Sequence, residues 1–406
     1  MRGTTGDIRL DLFIMANSPG EISGWVLPLI RDLRVKSGHI RITILIPPCQ
    51  YSSGEELELG RVIGADRCVK LGDLNNMISE SVGAASKRLL LHIGGDTAFS
   101  VYASKKLKCP LWVYASKPRW NFFVQRYFVS DEKYRERFEK KSIPSGKFRV
   151  IGNMALDSAV LSETETETRE FLGAGPDTPV LTCLAGSRPF EYRGGIPLFA
   201  RIARMITDKF PDMKVVFPLA QTVREDLLKS ALAEAGIGWT GESRVRAIDI
   251  GCGRTAMVVR DRTLEVLNCS RLALAIPGTN NLQAAALYIP FIMICPLDRV
   301  DEFPLDGLPG LLPLKLPGFR RFKRRYIERL NEKMPCLSLP NIMAGRMIAP
   351  EIRGRFNAEV VANMAAALLE SPERLKEISR AFWELTRDRG AAARLAEEIV
   401  DFSQKT

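Results

Sequence analysis

The stretch LALAIPGTNNLQAAALYIPFIMICPL, residues 272–297, decides the fold class of this chain. Its first apolar run stops at a Pro-Gly-Thr turn, two asparagines follow, and an Ala/Leu-rich segment leads into a second apolar run. A strand, a polar turn, a helix and a second strand in this order predict a βαβ unit with parallel strands. So polar a turn between two core strands also predicts a ligand site where the first strand ends.

The same alternation runs through both halves of the chain and predicts an α/β fold with two doubly wound, Rossmann-like domains that face a cleft. An acidic, turn-rich segment at 162–179 separates the halves, and the region 357–403 is helical in pattern. We expect one domain at 1–155, a second at 156–385, and a helix at 386–406 that packs back on the first domain. Two such domains suit an enzyme that handles an acceptor in the first half and a nucleotide in the second. The predicted strands are 8–16, 40–48, 88–94, 110–116 and 126–130 in the first half, and 180–186, 213–220, 271–278 and 290–296 in the second.

Composition limits the classes of function. The 406 residues carry a formal net charge of +11, which favours anionic partners. The eight cysteines include no CxxC pair, which is typical of a reduced, cytosolic protein, and only two histidines make a histidine-based metal site unexpected. No run approaches the roughly 20 apolar residues of a membrane span, and the N-terminus does not read as a signal peptide. Because the basic residues are scarcely interleaved with aromatic ones, we expect no nucleic-acid partner.

Two turns in the first half carry candidate catalytic residues. In NSPGEISGW, residues 17–25, Gly20 permits a tight turn and Ser23 is a candidate helix cap. In HIGGDTAFS, residues 92–100, two glycines allow close backbone approach and Asp96 stands at a helix start. There Asp96 is either an ordinary N-cap or a general base for an acceptor hydroxyl, and Glu21 is the second candidate base.

Two turns in the second half suit a pyrophosphate. Arg188 follows Gly186 and Ser187 in LAGSRPFEYRGG, and a guanidinium there either binds a diphosphate or forms a surface ion pair with Glu191. In the opening stretch, backbone N–H groups and a hydroxyl at a helix start form a candidate anion site, and the residue one turn later is placed to bind a ribose hydroxyl. The residues of this second turn are Gly278, Thr279, Asn280, Asn281 and Gln283.

Taken in order, these turns resemble the lipid-A-disaccharide synthase family, inverting glycosyltransferases of the GT-B fold. The resemblance rests on AGSR at 185–188, PGT at 277–279, GEISG at 20–24, GNMALD at 152–157 and above all SLPNIMAGRMIAPE at 338–351. It implies transfer of a diacylated glucosamine from UDP onto a diacylglucosamine 1-phosphate, giving a β-1,6 disaccharide and UDP, with no metal or other cofactor. It also implies that Arg188, Thr279, Asn341 and Arg346 contact the nucleotide sugar, and that Gly20, Ser23 and Asn153 lie on the acceptor side.

Several positions depart from the family pattern. Trp25 replaces an aspartate, Asn153 replaces the junction histidine, Gln283 replaces a glutamate, and Asp96 lacks a second neighbouring carboxylate. Two alternatives therefore stay open. One is a non-catalytic or substrate-divergent UDP-sugar-binding protein, and the other is a UDP-sugar epimerase of the same fold.

A further segment fits a lipid substrate. Residues 307–330 place Leu-rich sequence beside a basic cluster, which is the composition of an interfacial binder or of a solvated helix face. We expect a cytoplasmic protein, peripheral on the inner face of the cytoplasmic membrane, with a UDP-linked amino sugar, a lipid-linked sugar acceptor and an anionic membrane surface as partners. The basic cluster consists of Arg320, Arg321, Lys323, Arg324 and Arg325.

Overall fold

The chain divides into two compact units in the computed structural model. One unit is Met1–Ser158 together with Asp388–Thr406, and the other is Ala159–Arg387. The structure describes residues 8–48, 56–80, 85, 87–186, 189–219, 223–240, 245–296, 325, 327–329 and 331–405.

The first unit is built on a seven-stranded parallel sheet with the order β3-β2-β1-β4-β5-β6-β7. All six residues of β1 are buried, as expected for a central strand covered on both faces. Because the order reverses between β1 and β4, the carboxyl ends of these two strands form the topological switch point. The strands are β1 (Leu10–Met15), β2 (Ile40–Ile46), β3 (Arg67–Lys70), β4 (Lys87–His92), β5 (Leu111–Tyr114), β6 (Val124–Val129) and β7 (Phe148–Val150).

Helices cover both faces of this sheet. The first helical region begins at Pro19 with the Ser18 side chain as its cap, and continues through a π-helical turn at Ile22–Val26. The α-helices are α1 (Pro19–Glu21), α2 (Leu27–Lys36), α3 (Glu56–Val62), α4 (Leu74–Glu80), α5 (Thr97–Leu107) and α6 (Arg135–Glu139).

The C-terminal helix, Ala391–Gln404, belongs to the first unit. Its apolar side packs on α2, and Leu395 and Ile399 are fully buried in the same core as Leu29. The Asp157 carboxylate holds the start of this helix, accepting the Gly390 N–H at 2.7 Å and the Ala392 N–H at 2.8 Å.

The second unit contains an eight-stranded sheet with the order β10-β11-β12-β9-β8-β13-β14-β15. It is parallel from β12 to β15, whereas β10, β11 and β12 pair antiparallel. The switch point lies between β8 and β13. The strands are β8 (Val180–Leu184), β9 (Lys214–Leu219), β10 (Trp239–Thr240), β11 (Val245–Gly251), β12 (Arg254–Arg260), β13 (Leu272–Ala275), β14 (Phe291–Pro296) and β15 (Glu351–Gly354).

The antiparallel edge is an addition to the strands that the sequence predicted, and so are β3, β7 and β15. In β11 polar residues interrupt the apolar ones, and in β12 an apolar run of four residues at 256–259 lies between polar ends. The helices of this unit are α7 (Glu165–Leu172), α8 (Pro189–Lys209), α9 (Glu225–Glu234), α10 (Thr263–Asn268), α11 (Asn280–Ala286), α12 (Leu339–Ala344), α13 (Ala358–Leu369) and α14 (Pro372–Thr386), and the C-terminal helix becomes α15.

The predicted fold class of two doubly wound α/β domains followed by C-terminal helices is confirmed. Within the described residues, no helix is long and apolar enough to cross a bilayer.

Candidate functional site

The two candidate catalytic turns of the first unit meet at its switch point. The N–H groups of Ile93 and Gly94 both donate to the carbonyl oxygen of Met15, at 3.0 and 3.1 Å, where β1 and β4 end. The loops that follow therefore leave the sheet side by side, and they carry Glu21 and Asp96.

Gly94 and Gly95 are required by these neighbouring side chains. A Cβ on Gly94 would lie 1.9 Å from Glu21 Oε2, and Gly95 has a φ of +82° and lies against Asn17. The Glu21 carboxylate is held by the backbone N–H of Asn17, which donates to Oε2 at 2.8 Å. The close approach that the sequence predicted is thus occupied by Glu21, and it brings a carboxylate to the end of β4.

Asp96 is the N-cap of α5, and its Oδ1 accepts the Ala98 N–H at 2.9 Å. The residue is exposed. Capping and proton abstraction are compatible here, because a carboxylate has four lone-pair sites and the cap uses one of them.

His92 is the last residue of β4 and was not singled out by the sequence as a site residue. It is 4% exposed; its Nδ1 lies 2.8 Å from Ser100 Oγ and its Nε2 lies 3.3 Å from Thr97 Oγ1. Burial lowers the pKa of His92 to about 4, against the opposing effect of the Asp96 charge, so the ring is neutral near pH 7. The ring therefore links the end of β4 to the first turn of α5, which carries Asp96. The sequence offered one signal for His92, which is the last residue of an apolar strand just before the Gly-Gly-Asp turn at 94–96.

The residues that were predicted to bind the acceptor substrate have local structural roles. Gly20 lies inside α1 without a positive φ, and Ser23 donates to the Pro19 carbonyl oxygen at 2.6 Å, so neither makes the turn or the cap that we expected. The cap is Ser18 because the helix begins earlier than its apolar periodicity indicates. Asn153 Oδ1 accepts the Ala155 N–H at 3.1 Å and closes the 3-10 turn before Asp157.

In the second unit, the two candidate phosphate turns also meet at a switch point. The Ile276 N–H donates to the Leu184 carbonyl oxygen at 3.3 Å, which ties the end of β13 to the end of β8. Gly186 has a φ of +104°, and a Cβ there would lie 2.7 Å from Ile276 Cδ1 and 2.4 Å from Glu191 Cβ. Two helices, α8 and α11, begin at this point. Ser187 and Arg188 lie outside the described residues.

The Pro-Gly-Thr-Asn-Asn turn is fixed by Asn281. The Asn281 side chain is fully buried; it donates to the Ile276 carbonyl oxygen at 3.1 Å and its Oδ1 lies 3.4 Å from the Gly278 nitrogen. One of the backbone donors expected for a phosphate is thus engaged internally. Thr279 is the N-cap without a capping bond from its hydroxyl, and Gln283 is half-buried one turn later.

The side-chain amide of Asn341 is engaged by residues 348–351. It is fully buried, its Nδ2 donates to the Ala349 carbonyl oxygen and to Glu351 Oε1, both at 2.8 Å, and its Oδ1 accepts the N–H groups of Ile348 and Ala349. These bonds use its donors and its acceptor, so Asn341 shapes the loop that carries Arg346 and has no atom left for a nucleotide. Arg346 itself is exposed after the end of α12, and α12 packs on α11.

Most of the basic cluster cannot be placed. Arg320, Arg321, Lys323 and Arg324 lie outside the described residues, and Arg325 is exposed in a helical segment. In the part of the chain that the structure describes, no group of three or more His, Cys, Asp or Glu side chains could hold a metal ion.

Comparison with known protein families gives a match to the model described as lipid-A-disaccharide synthetase, over residues 135–304. This range contains the Gly186 and Gly278 turns, whereas the SLPN segment lies beyond it. The lipid-A-disaccharide synthase of Myxococcus xanthus is 24% identical over 257 residues, which are 62% of this chain and 57% of that protein. The synthase of Gloeothece citriformis is 23% identical over 332 residues, covering 77% and 76%.

Solved structures with the same fold include UDP-GlcNAc 2-epimerases. The enzyme of Neisseria meningitidis, bound to UDP-GlcNAc, matches with a TM-score of 0.58 at 13% identity, covering 97% of this chain and all of that one. The enzyme of Methanocaldococcus jannaschii matches with a TM-score of 0.53 at 12% identity, covering 97% and 99%. At these identities the similarity is one of fold.

The matched region spans a little over half the length of several curated relatives, such as 58% of the synthase of Syntrophus aciditrophicus. Over residues 135–304, less than half of the chain, this protein is similar to the lipid-A-disaccharide synthase family, and the motifs AGSR, PGT and GNMALD quoted from the sequence lie within that range.

Proposed function

We propose that the protein is a UDP-sugar-dependent glycosyltransferase that moves a diacylated glucosamine from UDP to a lipid-linked sugar acceptor with inversion. The second unit binds the nucleotide sugar. The first unit binds the acceptor and supplies the base. The proposed reaction is that of the lipid-A-disaccharide synthases, with an acylated UDP-amino sugar as donor and an acylated sugar as acceptor.

The observation that carries this proposal is the meeting of the Gly186 and Gly278 turns at the second switch point. Two helices start there, and helix N-termini present N–H donors and a partial positive charge to an anion. Arg188, between the Gly186 turn and α8, adds a guanidinium suited to a diphosphate. The family match covers both turns, and the fold neighbour from Neisseria meningitidis was solved with UDP-GlcNAc.

Inversion needs one base for the acceptor hydroxyl. We assign this role to Asp96, which is exposed at the first switch point, with Glu21 as the second candidate on the adjacent loop. The acceptor oxygen attacks the anomeric carbon, its proton passes to the carboxylate, and the bond to UDP breaks. The developing charge on UDP is stabilised by the helix N-termini, Thr279 and Arg188.

The protein is proposed to be peripheral on the inner face of the cytoplasmic membrane, because acylated substrates of the proposed class partition into a bilayer. The cluster Arg320–Arg325 is the proposed contact with anionic headgroups, each cation contributing about 1 kcal/mol.

Two variants test the division of labour. Arg188→Ala should weaken UDP binding by about 1.5–3 kcal/mol in calorimetry, as expected for loss of a charge-assisted bond. Asp96→Asn should lower transfer from a UDP-diacylglucosamine to a diacylglucosamine 1-phosphate by roughly 10²–10⁴ while UDP affinity stays unchanged. Asp131→Asn is the matched control, because Asp131 is also an N-cap aspartate that accepts an N–H at 2.9 Å from the residue two positions on.

The outcomes separate the alternatives. Transfer that survives Asp96→Asn and fails in Glu21→Gln moves the base to Glu21. UDP binding without transfer to any lipid acceptor identifies a binding protein, and conversion of UDP-GlcNAc to its 2-epimer identifies an epimerase. Absence of UDP binding at millimolar ligand contradicts the proposal as a whole.

A further inference from the structure

A segment of the first unit combines exposed aromatic side chains with an unbroken excess of positive charge. Between Thr97 and Ser130 the chain contains six lysines and arginines and no aspartate or glutamate. Three of its aromatic residues are exposed: Phe122 at 92%, Trp120 at 49% and Tyr102 at 46%. Such exposure of large apolar side chains marks an interaction surface when they are contiguous.

The aromatic residues and the cations form one contiguous surface, which we call the aromatic–basic patch. The ring of Phe123 lies 5.3 Å from that of Phe122 and 6.3 Å from that of Trp120, and Lys105 Nζ lies 4.2 Å above it. Lysines at 105 and 106 share one face of α5 with Tyr102, at helical spacings of three and four. The patch consists of Tyr102, Lys105, Lys106, Lys117, Arg119, Trp120 and Phe122.

The loop at the centre of the patch is held firmly. The buried Tyr127 hydroxyl donates to the Arg119 carbonyl oxygen at 2.6 Å and lies 2.9 Å from Asn121 Oδ1. Lys147 Nζ donates to the Asn121 carbonyl oxygen at 2.7 Å. Trp120 has a φ of +56°, a conformation that is unfavourable for a bulky residue, and the anchored loop maintains it. The exposed rings are thus presented by a preformed loop.

We propose that the aromatic–basic patch docks the first unit on an anionic lipid surface. Trp and Phe at the level of the headgroups, flanked by Lys and Arg, form the composition of an interfacial binder. Within the described residues, none of the four patch cations is in an ion pair with a carboxylate, so their charge is available to lipid phosphates.

Other occupants fit less well. Lysine is depleted at protein interfaces, yet three of the four patch cations are lysines. Single-stranded RNA is bound in grooves that follow its backbone, whereas a side chain as exposed as Phe122 stands on a protrusion.

On α5, Lys105 and Lys106 lie in the last turn, at the far end of the helix from Asp96, and Tyr102 lies in its middle. The helix runs from Thr97 to Leu107, so its two ends are about 16 Å apart. The patch shares no residue with the cluster Arg320–Arg325. The inference therefore stands whether or not the chain transfers a sugar, and patch variants should leave UDP binding unchanged.

The test is flotation of the full chain with vesicles of equimolar phosphatidylglycerol and phosphatidylcholine, against vesicles of phosphatidylcholine alone. Trp120→Asn with Phe122→Ser should weaken partitioning onto anionic vesicles by roughly 30-fold or more, the effect of withdrawing two aromatic side chains from the interface. Lys117→Gln with Arg119→Gln should weaken it roughly fivefold for each cation removed. Asn is chosen at 120 because it tolerates the left-handed backbone.

Matched controls come from the second unit. Trp383 is 47% exposed beneath the Arg387 guanidinium, and Arg271 and Lys376 are exposed cations. Two control variants, the single Trp383→Ala and the double Arg271→Gln with Lys376→Gln, should each leave partitioning onto anionic vesicles unchanged. Quenching of tryptophan emission by brominated lipid, present in the parent and lost in Trp120→Asn, would place Trp120 itself in the interface.

Three results would overturn the proposal. The patch variants could partition like the parent protein, or the parent protein could fail to bind anionic vesicles. The third is that the patch binds single-stranded RNA while the protein does not bind vesicles. Loss of self-association in the patch variants, seen by sedimentation velocity without any change in partitioning, would assign the surface to a second copy of the chain instead. Melting temperatures equal to that of the parent exclude misfolding as the cause.

Discussion

Replacement of Asp157 by asparagine should destabilise the first unit by detaching the C-terminal helix. The carboxylate is 7% exposed and accepts two N–H groups from the start of α15, one on each oxygen. Asparagine keeps one acceptor and turns an amide N–H₂ toward a backbone N–H. One hydrogen bond to a charged group is lost, at about 1.5–3 kcal/mol, and a negative charge leaves a helix N-terminus, at about 0.3–2 kcal/mol. The expected loss of unfolding free energy is about 3 kcal/mol.

Calorimetry measures this loss as a fall in melting temperature. A unit of this size loses about 2–4 °C per kcal/mol, so the transition of the first unit should fall by about 6–12 °C. Hydrogen exchange should accelerate in 391–404 before it does in β1. Asp388→Asn is the control: Asp388 is exposed, lies 3.4 Å from Arg394 just before the same helix, and should cost under about 1 kcal/mol. If both variants have the same melting temperature, the helix is held by its apolar face and the argument about Asp157 fails.

Three further predictions concern the candidate sites. His92 has a pKa lowered to about 4 by burial, so the unfolded state binds more protons between about pH 6.5 and pH 4; stability should fall by up to about 3 kcal/mol as the pH is lowered through this window. Urea titrations at several pH values should lose that slope in His92→Gln and keep it in His39→Gln, and a slope common to all three proteins would refute the assignment. Gly94→Ala should displace the Glu21 carboxylate, and the cost should shrink in a Glu21→Ala background; additive effects in this double-mutant cycle would show that the two do not touch. Asn341→Ala should lower stability by about 2–4 kcal/mol, because the N–H groups of Ile348 and Ala349 lose their acceptor, while UDP affinity of the folded protein is retained. A variant of parental stability with weakened UDP binding would instead restore Asn341 as a ligand contact.

The local chemistry of the two sites could be predicted from the sequence. Apolar runs marked the buried parallel strands, because a strand covered on both faces has few polar residues. Asp96 was expected at the start of a helix, and it caps α5. The sequence suffices here because the capping bond joins a side chain to a backbone N–H only two residues further on. The residues at the carboxyl ends of strands were expected to form ligand sites, and the strand orders bring those turns together in each unit.

Residue roles that depend on distant neighbours could not be predicted. Asn341 belongs to a motif whose resemblance to the synthase family implied a contact with the nucleotide sugar. Only the fold reveals that its amide hydrogen-bonds to residues 348–351 instead. Gly94 was expected to allow a close approach to the backbone, and only the pairing of β1 with β4 shows that the approaching group is the Glu21 carboxylate. The Ser18 cap was missed because the helical region begins with a short turn and a π-helical segment that break the apolar periodicity.

What the sequence by itself determined, then, is the alternation of helices with nine of the strands and the chemistry at several of their ends, since these follow from periodicity and from bonds between near neighbours. The sequence also predicted that a C-terminal helix packs back on the first domain. The tertiary structure alone decided which core α15 joins there, the antiparallel edge β10-β11-β12, and the assembly of the aromatic–basic patch from α5 and the loop before β6. These features depend on contacts between segments far apart in the chain, which are selected by packing rather than by local preference. Leu395 and Ile399 have the same helical spacing as any surface amphipathic stretch, and only the core around Leu29 gives them a partner.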